Sequence, residues 1–156
     1  HKNLIIIIIA LVAALLDLYS KEVIFNWLST VGGMVSVASF FNLVMVLNSG
    51  ISFGMLSGLD YGRYILTILA IIVSIVIYVI YRDNQEKHLV IAMGLIIGGA
   101  MGNSIDRMIN GAVADFLDFH IYNYHWPAFN LADSFVFIGA IILIFDEFIL
   151  AQKRNG

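Results

Sequence analysis

Long apolar runs separated by short polar segments form the pattern of this chain. The first run extends from Leu4 to Leu16 and is predicted to end at Asp17. The second, Tyr64 to Tyr81, has no charged residue and carries Tyr at both ends, and the third extends from Leu89 to Ile105. Because about 20 apolar residues cross a bilayer, these runs predict transmembrane helices. The first is short for a span unless its helix continues past Asp17 into the interface.

A fourth apolar run extends from Asn130 to Phe145 and stops at Asp146-Glu147. It forms a span only if the segment around Asp133 lies inside the protein. The third run ends in Gly98-Gly-Ala-Met-Gly102, and such small residues let a neighbouring helix approach closely. The pattern therefore predicts a four-helix membrane bundle that forms one domain over residues 1–156.

The segment from Trp27 to Asp60 has a different pattern, in which branched and aromatic residues alternate with small polar ones. Such a pattern favours short strands, and Asn48-Ser-Gly50 supplies the turn residues that end them. We expect a small sheet on the membrane surface, followed by a short interfacial helix from Gly54 to Tyr61.

Composition agrees with a membrane protein and excludes several other classes. The chain is 61% hydrophobic and 12% charged, whereas about a quarter of the residues in a soluble domain are charged. The net charge of −3 comes with no basic cluster, so we expect no nucleic-acid partner. Cysteine is absent, which rules out disulfides, thiol catalysis and thiolate metal sites.

The start of the chain resembles a signal peptide only weakly. Lys2 precedes an apolar stretch, but no small-residue cleavage site follows it, and Asp17 to Lys21 matches one poorly. Because the chain opens with His1-Lys2 rather than Met, we expect these two residues to be a trimmed or added end and leave them out of the fold prediction.

Basic residues predict the orientation of the bundle. One side of it holds Lys2, Arg82, Lys87, Lys153 and Arg154. The other side, with longer connections, holds Lys21, Arg63 and Arg107. Basic residues concentrate in short cytoplasmic loops, so we predict that both termini are cytoplasmic and that the chemically interesting segments face outward.

Two acidic motifs, Val113-Ala-Asp-Phe116 and Phe129-Asn-Leu-Ala-Asp133, each place a carboxylate at a predicted membrane boundary. An ionisable group near hydrocarbon is costly and indicates function. If Asp115 and Asp133 converge, they form the kind of carboxyl pair that shares one proton and activates water. The alternative is that both are ordinary loop or helix-cap carboxylates.

Three further polar motifs have simple alternatives. Asp17 and Lys21 lie one helical turn apart, which also describes an ordinary surface ion pair. Asn48 to Phe53 reads equally well as a β-turn. In Asn103-Ser-Ile-Asp-Arg107, the arginine could merely extend to the interface, but an asparagine in an apolar helix implies a hydrogen-bond partner within the bundle.

The sequence gives little support for a metal site or for a catalytic serine. The candidate metal ligands are Asp115, Asp118, His120, His125 and Asp133. Their spacing matches no zinc motif, so we predict no metal and no cofactor. The histidines, among Tyr and Trp residues, read as interfacial. Ser104 and Ser134 lie near the motifs but without a nucleophile-elbow sequence.

Together these residues resemble the lipoprotein signal peptidases, the type II signal peptidases of bacteria. The matching blocks, in the family's order, are Asp17 with Lys21, Asn48-x-Gly50, Gly102-Asn103 with Asp106-Arg107, Val113-x-Asp115-Phe116 and Phe129-Asn130-x-Ala132-Asp133. They span nearly the whole chain, and a short aromatic loop with Pro127 separates the last two.

The resemblance implies a four-span aspartic endopeptidase of the bacterial inner membrane with a periplasm-facing β-cradle. It implies Asp115 and Asp133 as the catalytic pair. Residues that would shape the site are Asp17, Lys21, Asn48, Gly50, Asn103, Arg107, Asn130 and Ala132. The chain departs from the family pattern at Leu18, at Ala114 and at Ile51-Ser52, none of which is in the pair.

We therefore predict an enzyme that removes signal peptides from diacylglyceryl-modified prolipoproteins, acting as a monomer among membrane lipids. The main alternative is a small transporter or channel subunit with a carboxylate proton relay. A relay needs polar groups across the membrane, whereas the second and third runs lack ionisable groups until their outer ends. A non-catalytic membrane scaffold would leave the acidic motifs unexplained.

Overall fold

The computed structural model describes residues 1–50 and 61–150, with the side chains of residues 149 and 150 left aside. Its elements in chain order are α1 (Lys2–Thr30), β1 (Met34–Ala38), β2 (Phe41–Asn48), α2 (Gly62–Tyr81), α3 (Lys87–Asn110), β3 (Val113–Ile121), β4 (Tyr124–His125), α4 (Leu131–Phe145) and a π-helical turn (Asp146–Leu150). The predicted interfacial helix falls almost entirely outside the described residues.

Within the described part of the chain, α1, α2 and α3 are long and apolar enough to cross a membrane. The second and third predicted spans correspond to α2 and α3. The fourth corresponds to α4, which has 15 residues, so its role as a span stays a prediction. Apolar side chains of α2 point outward along its whole length, as expected where the surrounding solvent is lipid.

Asp17 does not end the first helix, although the first apolar run stops there. The helix continues to Thr30, and both Asp17 and Lys21 are buried inside the bundle, with 0% and 4% of their surface exposed. A carboxylate can remain in a helix interior when a cation neutralises it, and Lys21 Nζ lies 2.7 Å from Asp17 Oδ2. Lys2, which was left out of the fold prediction, is the first residue of α1.

Two polar side chains, Lys2 and His88, close the end of the bundle that lies away from the sheet. Lys2 Nζ donates to the carbonyls of Arg82 and Asn84, in the connection between α2 and α3. His88 Nε2 lies 2.7 Å from Asp146 Oδ1, joining the start of α3 to the end of α4. The start of α1, the α2–α3 connection and the end of α4 therefore lie at one end of the molecule.

A four-stranded antiparallel sheet in the order β1-β2-β3-β4 covers the other end. The short strands expected before the Asn48-Ser-Gly50 turn are β1 and β2. Strand β3 was not predicted, because the stretch between the two acidic motifs was interpreted as a loop. It pairs with β2 over Phe41↔Phe119 to Asn48↔Val113, with an irregularity between Leu43 and Val46.

Small residues let α3 sit at the centre of the bundle, as the run of glycines predicted. A Cβ atom on Gly98 would lie 2.6 Å from the Ala10 carbonyl of α1, and one on Gly99 would overlap the Ala132 carbonyl of α4. A Cβ on Gly102 would lie 2.5 Å from Asp17 Oδ2. Close approach at these glycines brings α1 and α4 to the same end of α3, where the polar residues gather.

Candidate active site

Backbone pairing brings the two acidic motifs together. Phe116 N and Leu117 N both donate to the carbonyl of Phe129, and Phe129 N donates back to the carbonyl of Leu117. These bonds hold the segment before α4 alongside β3. As a result Asn130, the N-cap residue of α4, lies beside Asp115, and Asp133 lies in the first turn of the helix.

Asn130 connects the two carboxyl groups. It caps α4: its Oδ1 accepts from Asp133 N at 3.0 Å, while Asp133 Oδ2 accepts from Asn130 N at 3.3 Å. This reciprocal capping box directs the Nδ2 atom the other way, where it donates to Asp115 Oδ1 at 2.6 Å. Asn130 therefore touches both carboxyl groups: its side-chain amide donates to Asp115, and its backbone N–H donates to Asp133.

Asn103 reaches the second acid from α3, and its orientation is determined by a lysine. Lys21 Nζ donates to Asn103 Oδ1 at 2.8 Å. Because an ammonium group can only donate, the amide oxygen must face Lys21, and the Nδ2 atom faces Asp133, to whose Oδ1 it donates at 2.8 Å. Asn130 Nδ2 also donates to Asn103 Oδ1, at 3.1 Å.

Asn48 reaches the first acid from the end of β2. Its Oδ1 accepts from Gly50 N at 2.8 Å, and its Nδ2 donates to Asp115 Oδ2 at 2.9 Å. Gly50 has φ +77°, and a Cβ there would overlap the Leu66 side chain, so the turn that orients this amide requires glycine.

A second buried group of charges supports these contacts from behind. Asp17 Oδ1 accepts from Ala132 N at 2.9 Å, at the start of α4. Lys21 Nζ lies 3.3 Å from Asp106 Oδ2, and the same oxygen accepts from Ala114 N at 2.8 Å. One lysine and two carboxylates thus join α1, α3, β3 and α4 directly behind the carboxyl pair.

Asp115 is 1% exposed, and its surroundings favour the protonated form. Burial raises the pKa of Asp115 from 3.8 to about 6, because the charged form loses hydration. The hydrogen bond from Asn48 lowers this pKa, the charge of Asp133 raises it, and the hydrogen bond from Asn130 lowers it. The acid can therefore exchange a proton near neutral pH.

The structure brings nine of the ten predicted site residues into this hydrogen-bonded assembly or its glycine turn. The tenth, Arg107, lies beside it: its Nε is 3.6 Å from where a Cβ on Gly50 would lie. Asp106 was not assigned to the site, although it belonged to one of the matching blocks. The sequence did indicate Asp106, because a carboxylate at the end of an apolar helix needs a polar or charged partner.

The remaining metal candidates form a separate cluster on the sheet. His125 Nδ1 lies 2.8 Å from Asp118 Oδ1, Asn42 Nδ2 donates to Asp118 Oδ2 at 2.9 Å, and the rings of His120 and His125 stack at 4.8 Å. Among the described residues no group of three His, Asp or Glu side chains is placed to hold a metal ion. Ser134 Oγ donates to the Asn130 carbonyl within α4.

Comparison with known proteins places these residues in a family. Residues 9–149 match the family model of signal peptidase (SPase) II. A lipoprotein signal peptidase of Burkholderia vietnamiensis is 45% identical over 141 residues, covering 89% of this chain and 84% of that protein. One from Cupriavidus necator is 44% identical over 140 residues, covering 88% and 79%.

Two solved structures, both described as bacterial membrane enzymes, share the fold. One has a TM-score of 0.73 and 32% identity, covering 96% of this chain and 90% of that chain. The other has a TM-score of 0.76 and 31% identity, covering 92% of both. The sequence resemblance is thereby confirmed, and the chain belongs to the signal peptidase II family.

Proposed function

We propose that this chain is an aspartic endopeptidase in which Asp115 and Asp133 together activate a water molecule. The observation that carries the proposal is that one buried residue, Asn130, donates to Asp115 Oδ1 through its side-chain amide and to Asp133 Oδ2 through its backbone N–H. Two carboxyl groups in such a position do not both ionise cheaply, so one proton is shared between them.

The chemistry is general acid-base catalysis. The ionised carboxylate takes a proton from water as the water oxygen attacks the scissile carbonyl carbon, and the protonated acid gives its proton to the carbonyl oxygen. When the C–N bond breaks, a proton passes to the leaving nitrogen. Asn48, Asn103 and Asn130 offer only N–H groups to the two acids, which holds both carboxyl groups in place without adding charge.

We propose diacylglyceryl-modified prolipoproteins as the substrate, in keeping with the family and with the surroundings of the site. A groove of about 260 Å³ between α2, α3 and α4 is lined in part by Asn103, which donates to Asp133, and by Arg107. Apart from those two residues and Ser74, its lining is aliphatic, with Leu66 and Leu69 from α2 and Val136 from α4. Such a groove suits an apolar signal peptide or an acyl chain that enters from the membrane.

The proposal includes four spans, with α4 as the fourth, both termini in the cytoplasm and the sheet on the periplasmic side of the bacterial inner membrane. Support for α4 as a span comes from its exposed apolar face, which includes Phe137, Ile138, Ile141 and Ile144. Support for the orientation comes from the basic residues at the end of the bundle away from the sheet. We propose that the working unit is a monomer.

The test is an assay of detergent-purified protein with a diacylglyceryl-modified prolipoprotein, scored by the appearance of the shortened product. Asp115→Asn and Asp133→Asn should each lose nearly all activity, since paired catalytic groups act as a unit. Asp118→Asn is a matched control, because Asp118 is a buried acid on the same strand. Appreciable turnover by either pair variant would exclude the pair as the catalyst.

A further inference from the structure

A groove along α1 and α3 takes no direct part in the carboxyl pair. It has a volume of about 670 Å³ and lies where α1, the end of α3 and the facing ends of β2 and β3 meet. We call it the α1–α3 groove. None of its described lining residues belongs to the pair, although Lys21 and Asp106, from the buried group of charges behind the pair, line it. The groove is therefore a separate cavity that borders those charges.

With the bundle placed in the membrane as proposed above, the groove crosses the outer boundary of the hydrocarbon core. A helix rises about 1.5 Å per residue, so Glu22 lies about 30 Å along α1 from Lys2, which is about the thickness of that core. Leu18 lies one turn nearer the cytoplasmic end, and on α3 Ile105 lies about 27 Å from the first residue of the helix. Asn110 lies about 35 Å from that residue, beyond the core. The groove, which these side chains line, therefore has an apolar end in hydrocarbon and a polar end at headgroup depth.

Of the described residues that line the groove, Lys21 is the only base, and its ammonium group is already engaged. Its Nζ lies 2.7 Å from Asp17 Oδ2 and 2.8 Å from Asn103 Oδ1. Asp106 Oδ2 is a third partner at 3.3 Å. Since an ammonium group has three N–H donors, none is left for a phosphate in the groove.

The groove instead offers hydrogen-bond acceptors to a ligand. Glu22 is exposed and forms no ion pair among the described residues. Asn110 Nδ2 donates to Asp106 Oδ1 at 2.7 Å, which leaves Asn110 Oδ1 as an acceptor at the polar end. Together the carboxylate and the amide oxygen favour a ligand group that donates N–H bonds and carries a positive charge.

From this depth, lining and charge we propose that the α1–α3 groove binds a phospholipid whose headgroup carries a primary ammonium, a phosphatidylethanolamine. The ammonium donates to Glu22 and to Asn110 Oδ1, while an acyl chain lies against Leu18 and Ile105. A quaternary ammonium such as choline has no N–H to donate. An anionic headgroup would meet the Glu22 carboxylate without a base to offset it.

The test is competition between lipids that share their acyl chains and differ in the headgroup. Detergent-purified protein is mixed with equal amounts of phosphatidylethanolamine, phosphatidylcholine and phosphatidylglycerol, and the bound lipids are counted by native mass spectrometry. We expect phosphatidylethanolamine to be bound about fivefold more than either competitor, the factor that one partly exposed ion pair supplies. Because binding is scored without substrate or turnover, the outcome does not depend on the catalytic proposal.

Variants at Glu22 locate the bound headgroup. Glu22→Gln should remove the preference, and Glu22→Lys should shift it toward phosphatidylglycerol. Glu147→Gln is the matched control, because Glu147 is an exposed acid just after α4, at the opposite end of the bundle, and it should bind as the unsubstituted protein does. Melting temperatures verify that each variant is folded. Equal binding of the three lipids, an unchanged preference in Glu22→Gln, or an equal loss in Glu147→Gln would overturn the inference.

Discussion

Removing the Asn48 amide should move the pH dependence of activity. In the structure Asn48 Nδ2 donates to Asp115 Oδ2 at 2.9 Å, and this hydrogen bond lowers the pKa of Asp115 against the larger effect of burial. An Asn48→Ala substitution keeps Asp115 buried and keeps the charge of Asp133 nearby, but it removes the hydrogen bond that stabilises the ionised form of Asp115. The pKa of Asp115 must then rise further.

The size of the shift follows from the type of bond. A hydrogen bond to a charged group contributes about 1.5–3 kcal/mol, and one pKa unit corresponds to about 1.4 kcal/mol. Asp115 Oδ1 keeps its bond from Asn130, and water can enter where the amide was removed. We therefore expect the lower end of this range, an increase of about one pKa unit.

The assay is kcat measured over a pH range that extends well below and above about 6, the pKa of Asp115. The pair works with one shared proton, which is lost as the pH rises through the pKa of Asp115, so activity should decline above about pH 6. In Asn48→Ala the decline should begin about one unit higher. Stability should follow the same sign: since the folded pKa is raised, the free energy of unfolding falls as pH rises from 3.8 to about 6.

Asn42→Ala provides the control. Asn42 lies on the same strand, and its Nδ2 donates to a buried carboxylate, Asp118, at the same 2.9 Å distance, but outside the carboxyl pair. Its pH profile should match that of the unsubstituted protein. An unchanged or downward-shifted profile in Asn48→Ala, or an equal shift in Asn42→Ala, would refute the role assigned to Asn48.

Three further outcomes are expected. Lys21→Met should cost about 3–5 kcal/mol of stability, because it leaves two buried carboxylates without a cation. A thermal melt in detergent should show that adding Asp17→Asn partly restores the melting temperature, and no recovery would contradict the ion-pair explanation. Gly102→Ala should lose most activity because its Cβ displaces Asp17 Oδ2, whereas Gly139→Ala, equally crowded but against Ile96 and the Ala92 carbonyl rather than the buried charges, should lower only the melting temperature. Unlipidated prolipoprotein should be cleaved at least about a hundredfold more slowly than the lipidated form, since burying as few as four methylene groups of an acyl chain contributes about 3 kcal/mol. Equal kcat/KM values for the two substrates in the same micelles would show that the enzyme does not recognise the lipid.

The helix α2 could be predicted from sequence because most of its side chains are apolar and face the surrounding lipid. Apolar residues fill the run from Tyr64 to Tyr81, and an unbroken run of that length leaves few alternatives to a helix in lipid. The candidate acids could also be found from sequence. Asp115 and Asp133 stand beside apolar segments, where an unpaired charge is costly, so each needed a special environment.

The length of α1 could not be predicted in the same way. A run of apolar residues ends at Asp17, yet the helix continues for thirteen more residues to Thr30. The charge is tolerated because Lys21 neutralises it and because Ala132, 115 positions away in sequence, donates to its other oxygen. Hydropathy along the chain does not report a partner supplied by another helix.

Strand β3 was missed for a related reason. Val113 to Phe116 are all buried, so the alternation of exposed and buried residues that identifies a surface strand is absent there. The strand forms because β2 pairs with it on one side and Phe129 bonds to it on the other. Those partners are distant in sequence and are brought together only by folding.

The sequence by itself determined that the helices are surrounded by lipid, that the fold is a membrane helical bundle, and which carboxylates were candidate site residues. These properties depend on the free energy of transferring individual side chains into lipid. Tertiary structure alone decided how the acids are held: Lys21 turns the Asn103 amide toward Asp133, and the α4 cap turns the Asn130 amide toward Asp115. An amide has a donor and an acceptor end of nearly equal size, so its orientation depends on neighbours that folding brings within hydrogen-bond distance.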